Sequence, residues 1–110
     1  MIIHGHGVRG AVIDTQTRCE HYHNKVDIIA IKFKCCGNYY PCIKCHKEEA
    51  DHRVEVWPKN EFSEKAILCG VCGAELTIEE YITSGSACPN CAERFNAGCA
   101  NHYHLYFDMT

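Results

Sequence analysis

The chain has 110 residues, ten of them cysteine and eight histidine, with a formal charge of −3. No run of lysine and arginine tracks phosphates, and no apolar run approaches the roughly 18 residues of a membrane span, so nucleic acid and membrane are both excluded as partners. Cysteine at this density fits either a disulfide scaffold or a metal protein. The matching histidines and an N-terminus without a basic-then-apolar leader favour metal in a reducing compartment, so a cytoplasmic location is expected.

In chain order, residues 1–18 read as extended. Val8, Val12 and Ile13 lie near glycines, and Cys19-Glu-His21-Tyr-His23 follows. The segment 25–36 is the clearest strand, with Ile29, Ile31, Phe33 and Cys35 on one face and Lys32 and Lys34 on the other. A helical turn is expected over 45–52 after Pro41. A second strand is expected over 53–58, stopped by Pro58, with Trp57 in the core. Residues 60–66 are read as a connector. Thr77 and Glu80 form a capping box for a short helix. Leu105, Tyr106 and Phe107 suggest a final strand.

The cysteine spacing carries the chemistry. Cys69-x-x-Cys72 and Cys88-x-x-Cys91 are two knuckles of the kind that close a four-cysteine zinc site, and Gly70 or Gly73, with Pro89, suit their tight turns. The first half offers eight further ligands, which make two tetrahedral sites: Cys19, His21, Cys35, Cys36, Cys42, Cys45, His46 and His52. Cys42-x-x-Cys45 is a third knuckle that should share one ion. In the crossed pairing it joins Cys19 and His21, whose side chains converge from one face of an extended chain. Cys35, Cys36, His46 and His52 then hold the other ion. Sequential pairing, with Cys19, His21, Cys35 and Cys36 on one ion, is the rival. Three zinc ions against nine thiolates would carry the formal charge from −3 to about −6.

Other candidates have blander readings. His23 is expected to be exposed or hydrogen-bonded, and Tyr22, Tyr39 and Tyr40 to pack around the sites. Cys99, His102 and His104 lack an evident fourth ligand, and could complete a further site with His4 or His6. Cys99 is read as a packed thiol, with a reactive thiol as the alternative.

The segments "CEHY", "FKCCGNYYPCIKCH", "CGVC", "CPNC" and "FNAGCANHYHLYF" together resemble the CHY-type zinc finger family, from about Val8 to Phe107. The resemblance implies zinc at the twelve positions above. It implies a small metal-stabilised α+β domain over 8–107, with short strands and helical turns organised by about three zinc sites. Two sites would lie in an N-terminal lobe, 8–59, and one ribbon-like site in a C-terminal lobe, 66–107. Some members are fused to RING domains in ubiquitin ligases; this chain has no RING, so ligase activity is not implied. A fungal member assists small Tim chaperones in the mitochondrial intermembrane space, the alternative location if the chain is eukaryotic.

The expected function is a non-enzymatic zinc module that works through an unidentified protein partner. The alternative is a zinc or thiol handler that assists other cysteine-rich proteins. A zinc-dependent hydrolase or deaminase is the remote reading. "PCIKCHKE" holds the Pro-Cys-x-x-Cys and His-x-Glu pieces of zinc deaminases, but contiguous and in reversed order.

Overall fold

Two isoleucines at the N-terminus start a small hairpin, β1 (Ile2–Ile3) and β2 (His6–Gly7). Its two-residue turn is His4–Gly5, both at positive φ (49° and 84°), which matches the twist of the flanking strands. The computed structural model describes residues 1–109, the side chain of Ala100 aside.

A four-stranded antiparallel sheet in the order β4-β3-β5-β6 forms the centre. Its strands are β3 (Ile29–Lys32), β4 (Tyr39–Tyr40), β5 (Lys65–Cys69) and β6 (Glu75–Thr77). β3 and β5, from the two halves of the chain, pair in the register Ile29↔Cys69, Ala30↔Leu68 and Ile31↔Ile67. Period-two alternation sends these residues to opposite faces. Ile29, Ile31 and Ile67 join the larger core, which includes Phe33, Tyr81 and Phe107. Ala30 and Leu68 meet Ile3, Val8 and Tyr39 under the N-terminal hairpin. The sheet is thus apolar on both sides, and burying a residue such as Leu68 contributes about 1.5–3 kcal/mol.

Two short helices flank the sheet. α1 (Ile43–Glu49) starts two residues before the turn expected at 45, because Cys42 is its N-cap and its Sγ accepts from the Cys45 N–H at 3.4 Å. α2 (Ile78–Thr83) follows β6 directly, with the expected capping box in place. The Glu80 N–H donates to Thr77 Oγ1 at 3.0 Å, and the Thr77 N–H donates to Glu80 Oε1 at 2.8 Å.

The structure corrects several local expectations. The strand expected over 25–36 shortens to Ile29–Lys32, since the Gly37 N–H turns back to the Phe33 carbonyl at 2.7 Å. Residues 53–58 form no strand. Trp57 instead bridges Phe107, exchanging bonds with the Tyr106 carbonyl and the Asp108 N–H, both at 2.9 Å. The expected final strand is likewise only that bridge. Ala97–Leu105 is a run of 3-10 turns, since Asn96 caps it by accepting from the Gly98 N–H at 2.8 Å. The connector over 60–66 contains a 3-10 turn, Lys59–Glu61, and gives way at Lys65 to β5. β5 has no one-sided alternation because four consecutive residues are buried. Trp57 is in the core as expected, and its Nε1–H donates to the Lys32 carbonyl at 2.8 Å.

Thr77→Ala removes an acceptor for the first turn of α2. It is expected to lower unfolding stability by about 1 kcal/mol, read from urea denaturation of the zinc-loaded protein.

Candidate metal centres

Three groups of four side chains converge, each with its donor atoms within 4.8 Å of one another. They are Cys19, His21, Cys42 and Cys45; Cys35, Cys36, His46 and His52; and Cys69, Cys72, Cys88 and Cys91. The grouping of the first eight is the crossed one.

The first group is built from an extended segment and a helix start. Cys19 and His21 arrive together, and the Cys19 N–H donates to the Tyr22 carbonyl at 2.9 Å, which curls the segment inward. Cys42 and Cys45 come from the N-cap and first turn of α1. Nδ1 of His21 lies 3.4 Å from Cys45 Sγ, 3.6 Å from Cys42 Sγ and 3.9 Å from Cys19 Sγ. Its other nitrogen, Nε2, meets Glu48 Oε1 at 2.6 Å. A carboxylate that accepts a hydrogen bond from the Nε2–H fixes the tautomer and leaves the Nδ1 lone pair for a metal.

The second group uses the opposite nitrogen. His46 Nε2 and His52 Nε2 are 3.2 Å apart, and Cys35 Sγ is 3.3 Å and 3.2 Å from them. His52 Nδ1 contacts Asp51 Oδ1 at 3.1 Å, the same carboxylate–imidazole device. His46 is fully buried and stacks on Phe33 at a centroid distance of 4.4 Å. Among the described residues its Nδ1 has no hydrogen-bond partner. The third group joins the end of β5 to a loop, with Cys69 and Cys91, and Cys72 and Cys88, each 3.8 Å apart. Its first knuckle needs glycine at position 70, where a Cβ would sit 2.3 Å from the Gln16 carbonyl oxygen.

These distances test the metal directly. A tetrahedral zinc with Zn–S near 2.3 Å and Zn–N near 2.05 Å has S···S edges of about 3.8 Å, S···N edges of about 3.6 Å and N···N edges of about 3.3 Å. The observed sulfur pairs match at 3.8 Å and the histidine pair at 3.2 Å. A disulfide would bring the sulfurs to about 2.05 Å. The donor sets therefore fit zinc. When bound, zinc supplies the crosslinks that join α1 to the two flanking loops, and β5 to the loop at Cys88.

The ionisation of the donors follows their packing. A hydrogen bond from Cys42 is the largest influence on Cys19, which is held down to about 5; the same contact drives Cys42 upward. Burial raises Cys72, but hydrogen bonds from Asn90 and the Ala74 backbone outweigh it and bring this thiol to about 6. Burial pushes the neighbouring Cys69 up. Glu48 and then Cys19 raise His21; Asp51 and then Cys36 raise His52. Burial, followed by the charge of His52, lowers His46 and favours the neutral ring a metal requires.

The remaining candidates lie outside these groups. His4 Nε2 donates to the Gly70 carbonyl at 2.9 Å, pinning the N-terminal hairpin to the knuckle. His6 lies 3.8 Å from Glu75 and edge-on to Tyr39. His23, His102 and His104 are exposed. Burial raises the Cys99 thiol, opposed by a hydrogen bond from Tyr81, which does not suit a reactive thiolate. Tyr40 packs against His46 as expected, at 5.0 Å between ring centroids. What the sequence reading missed was the pair Glu48 and Asp51. Asp51 adjoins His52, but Glu48 lies 27 residues from His21, and nothing in the sequence links them.

The model for the CHY zinc finger matches residues 19–103. The chain belongs to the CHY zinc finger family. It is 47% identical over 103 residues to Helper of Tim protein 13 of Saccharomyces cerevisiae, covering 91% of this chain and 89% of that protein. The counterpart from Kluyveromyces lactis is 42% identical, with 91% and 87% covered. A BRUTUS-like zinc finger protein of Arabidopsis thaliana is 43% identical over 37 residues, which is 34% of this chain and 3% of that protein. The protein is therefore a CHY zinc finger with three clusters suited to zinc, about three ions in all. Among the described residues no helix is long and apolar enough to cross a membrane.

Glu48→Ala frees His21 Nε2 without removing a ligand. It is expected to weaken zinc at the first centre about 10–100-fold and leave the other two unchanged, as read by competition with a chromogenic chelator.

Proposed function

We propose that this CHY zinc finger is a non-enzymatic module whose zinc centres build a surface for protein partners, with the twelve converging residues as the zinc ligands. The observation that carries this is the convergence of four protein donors in each of the three groups. A catalytic zinc keeps a position open for water or substrate, whereas four protein donors close the shell. The deaminase-like motif is also divided. Cys42 and Cys45 face the first group and His46 the second, while Glu48 is bonded to His21. The pieces of that motif therefore do not surround one ion. The domain is taken as 8–107, with lobes at 8–59 and 66–107.

The name of the yeast relatives, Helper of Tim protein 13, favours a specific form of this role, help to Tim proteins. The likeness extends over nearly all of both chains, so the whole domain and not one knuckle is shared. The intermembrane-space alternative gains support over the cytoplasm on the same ground, and protein partners rich in cysteine become the expected class. Cys99, with its thiol raised by burial, gives little support to a thiol-transfer route.

Native mass spectrometry of fully loaded protein is expected to show three zinc ions, still three in Cys99→Ser and two in His21→Ala. One or two ions in the wild type overturns the ligand assignment. With cobalt in place of zinc, His21→Ala and Cys42→Ala should alter the same centre and spare that of Cys35 and His46. For the partner role, zinc-loaded protein mixed with a purified small Tim protein is expected to form a complex in analytical ultracentrifugation, lost on chelation. Catalytic turnover without complex formation would refute it.

A further inference from the structure

A cavity of about 430 Å³ opens where α1, the start of β3 and the Ala97–Leu105 turns meet. Interiors rarely tolerate voids larger than a water, and this volume falls in the range of small-molecule sites. Its walls are largely apolar, with Ile29 and Ile31 from β3, Ile43 from α1, and Tyr103 and Leu105 from the 3-10 turns. Lys44 and Lys47 line it from α1, three residues apart and so on one side of the helix. Among the described residues neither lysine forms an ion pair, although Lys32 and Lys34 both do. The Lys44 ammonium instead lies 5.3 Å from the ring centre of Tyr22. Asp27, the carboxylate on the wall, is already engaged by Asn96 Nδ2 at 2.8 Å and the Asn24 N–H at 2.9 Å. Two lysines against one hydrogen-bonded carboxylate leave an excess of positive side chains on the wall.

Thr17 gives an independent observation. It lines the same cavity and is only 2% exposed, yet its hydroxyl has no hydrogen-bond partner. Its φ is +70°, a rare conformation for a β-branched residue and one that is concentrated at functional sites. The cavity is thus walled on this side by a buried residue held in a rare backbone conformation.

We propose that this cavity binds a small amphipathic anion, a medium-chain carboxylate whose alkyl body lies on the apolar wall and whose head group is neutralised by Lys44 and Lys47. The cavity borders the first metal centre at Cys42 but takes a different ligand, and the proposal does not depend on the identity of a protein partner. The test uses the zinc-loaded full chain, with octanoate, decanoate and dodecanoate as probes and decyltrimethylammonium as the cationic control, followed by calorimetry and amide NMR. Affinity is expected to rise about fourfold per added methylene until the cavity is filled. Shifts should be confined to the residues that wall the cavity, in the stretches 17–31, 41–47 and 96–106 and at Tyr81, and the cation should bind far more weakly. The exposed double variant Lys44→Glu/Lys47→Glu should retain its zinc and lose at least about tenfold in decanoate affinity. If that variant loses zinc, the comparison of anion with cation on the wild type decides. Equal binding of anion and cation, shifts elsewhere, or no binding at millimolar decanoate would overturn the proposal. So would shifts at these residues that follow protein concentration alone, which would make a second copy the occupant.

Discussion

The fold depends on the convergence of sulfur and nitrogen donors at tetrahedral spacing. Sulfur atoms that are 16 to 23 residues apart in sequence stand 3.8 Å apart in space. Without a cation, thiolates at that distance repel, and the cluster must hold protons to exist. The opposed shifts of Cys19 and Cys42 express this, one thiol giving up its proton far more readily than its neighbour. Zinc replaces those protons and turns repulsion into attraction. Structural zinc contributes about 10–16 kcal/mol of apparent binding free energy in small finger peptides. That is comparable to the whole stability of an ordinary domain, about 5–15 kcal/mol.

The helix α1 shows how the centres substitute for propensity. At seven residues it is too short to persist in water on its own. Its consecutive residues Cys45 and His46 face different centres, and Cys42 adds a ligand from the cap. Its polar side supplies Glu48 to orient His21. The start of this helix thus supplies donors to two groups, and zinc bound there would fix its position alongside the apolar contact of His46 with Phe33.

Metal and sheet support each other. Cys69 is both the last residue of β5, paired with Ile29, and a donor to the third group. The knuckle that follows is held between the Ile28 carbonyl, which accepts from the Gly70 N–H at 2.6 Å, and His4 of the N-terminal hairpin. The same sheet separates the two apolar clusters, so a shift at the knuckle is felt on both faces. Four converging donors in each group and this tight backing suit a scaffold role.

Which residues converge into groups that could hold a metal was legible in the sequence, because ligand chemistry is local. Thiolates at knuckle spacing are a local signature of zinc sites, and Cys42-x-x-Cys45, Cys69-x-x-Cys72 and Cys88-x-x-Cys91 carry it. The capping box of Thr77 and Glu80 was legible for the same reason, its two bonds spanning three residues. Tertiary structure decided what depends on contacts distant in sequence. β5 is invisible to alternation because it is buried on both faces, and of the stretch 53–58 only Trp57 pairs as in a sheet, through its bonds with Tyr106 and Asp108. The choice of Nδ1 in His21 but Nε2 in His52 rests on Glu48 and Asp51, which only the fold places against those rings. The cavity beside Lys44 and Lys47 belongs to the same class: its walls come from four separate stretches of chain, and no spacing rule brings them together.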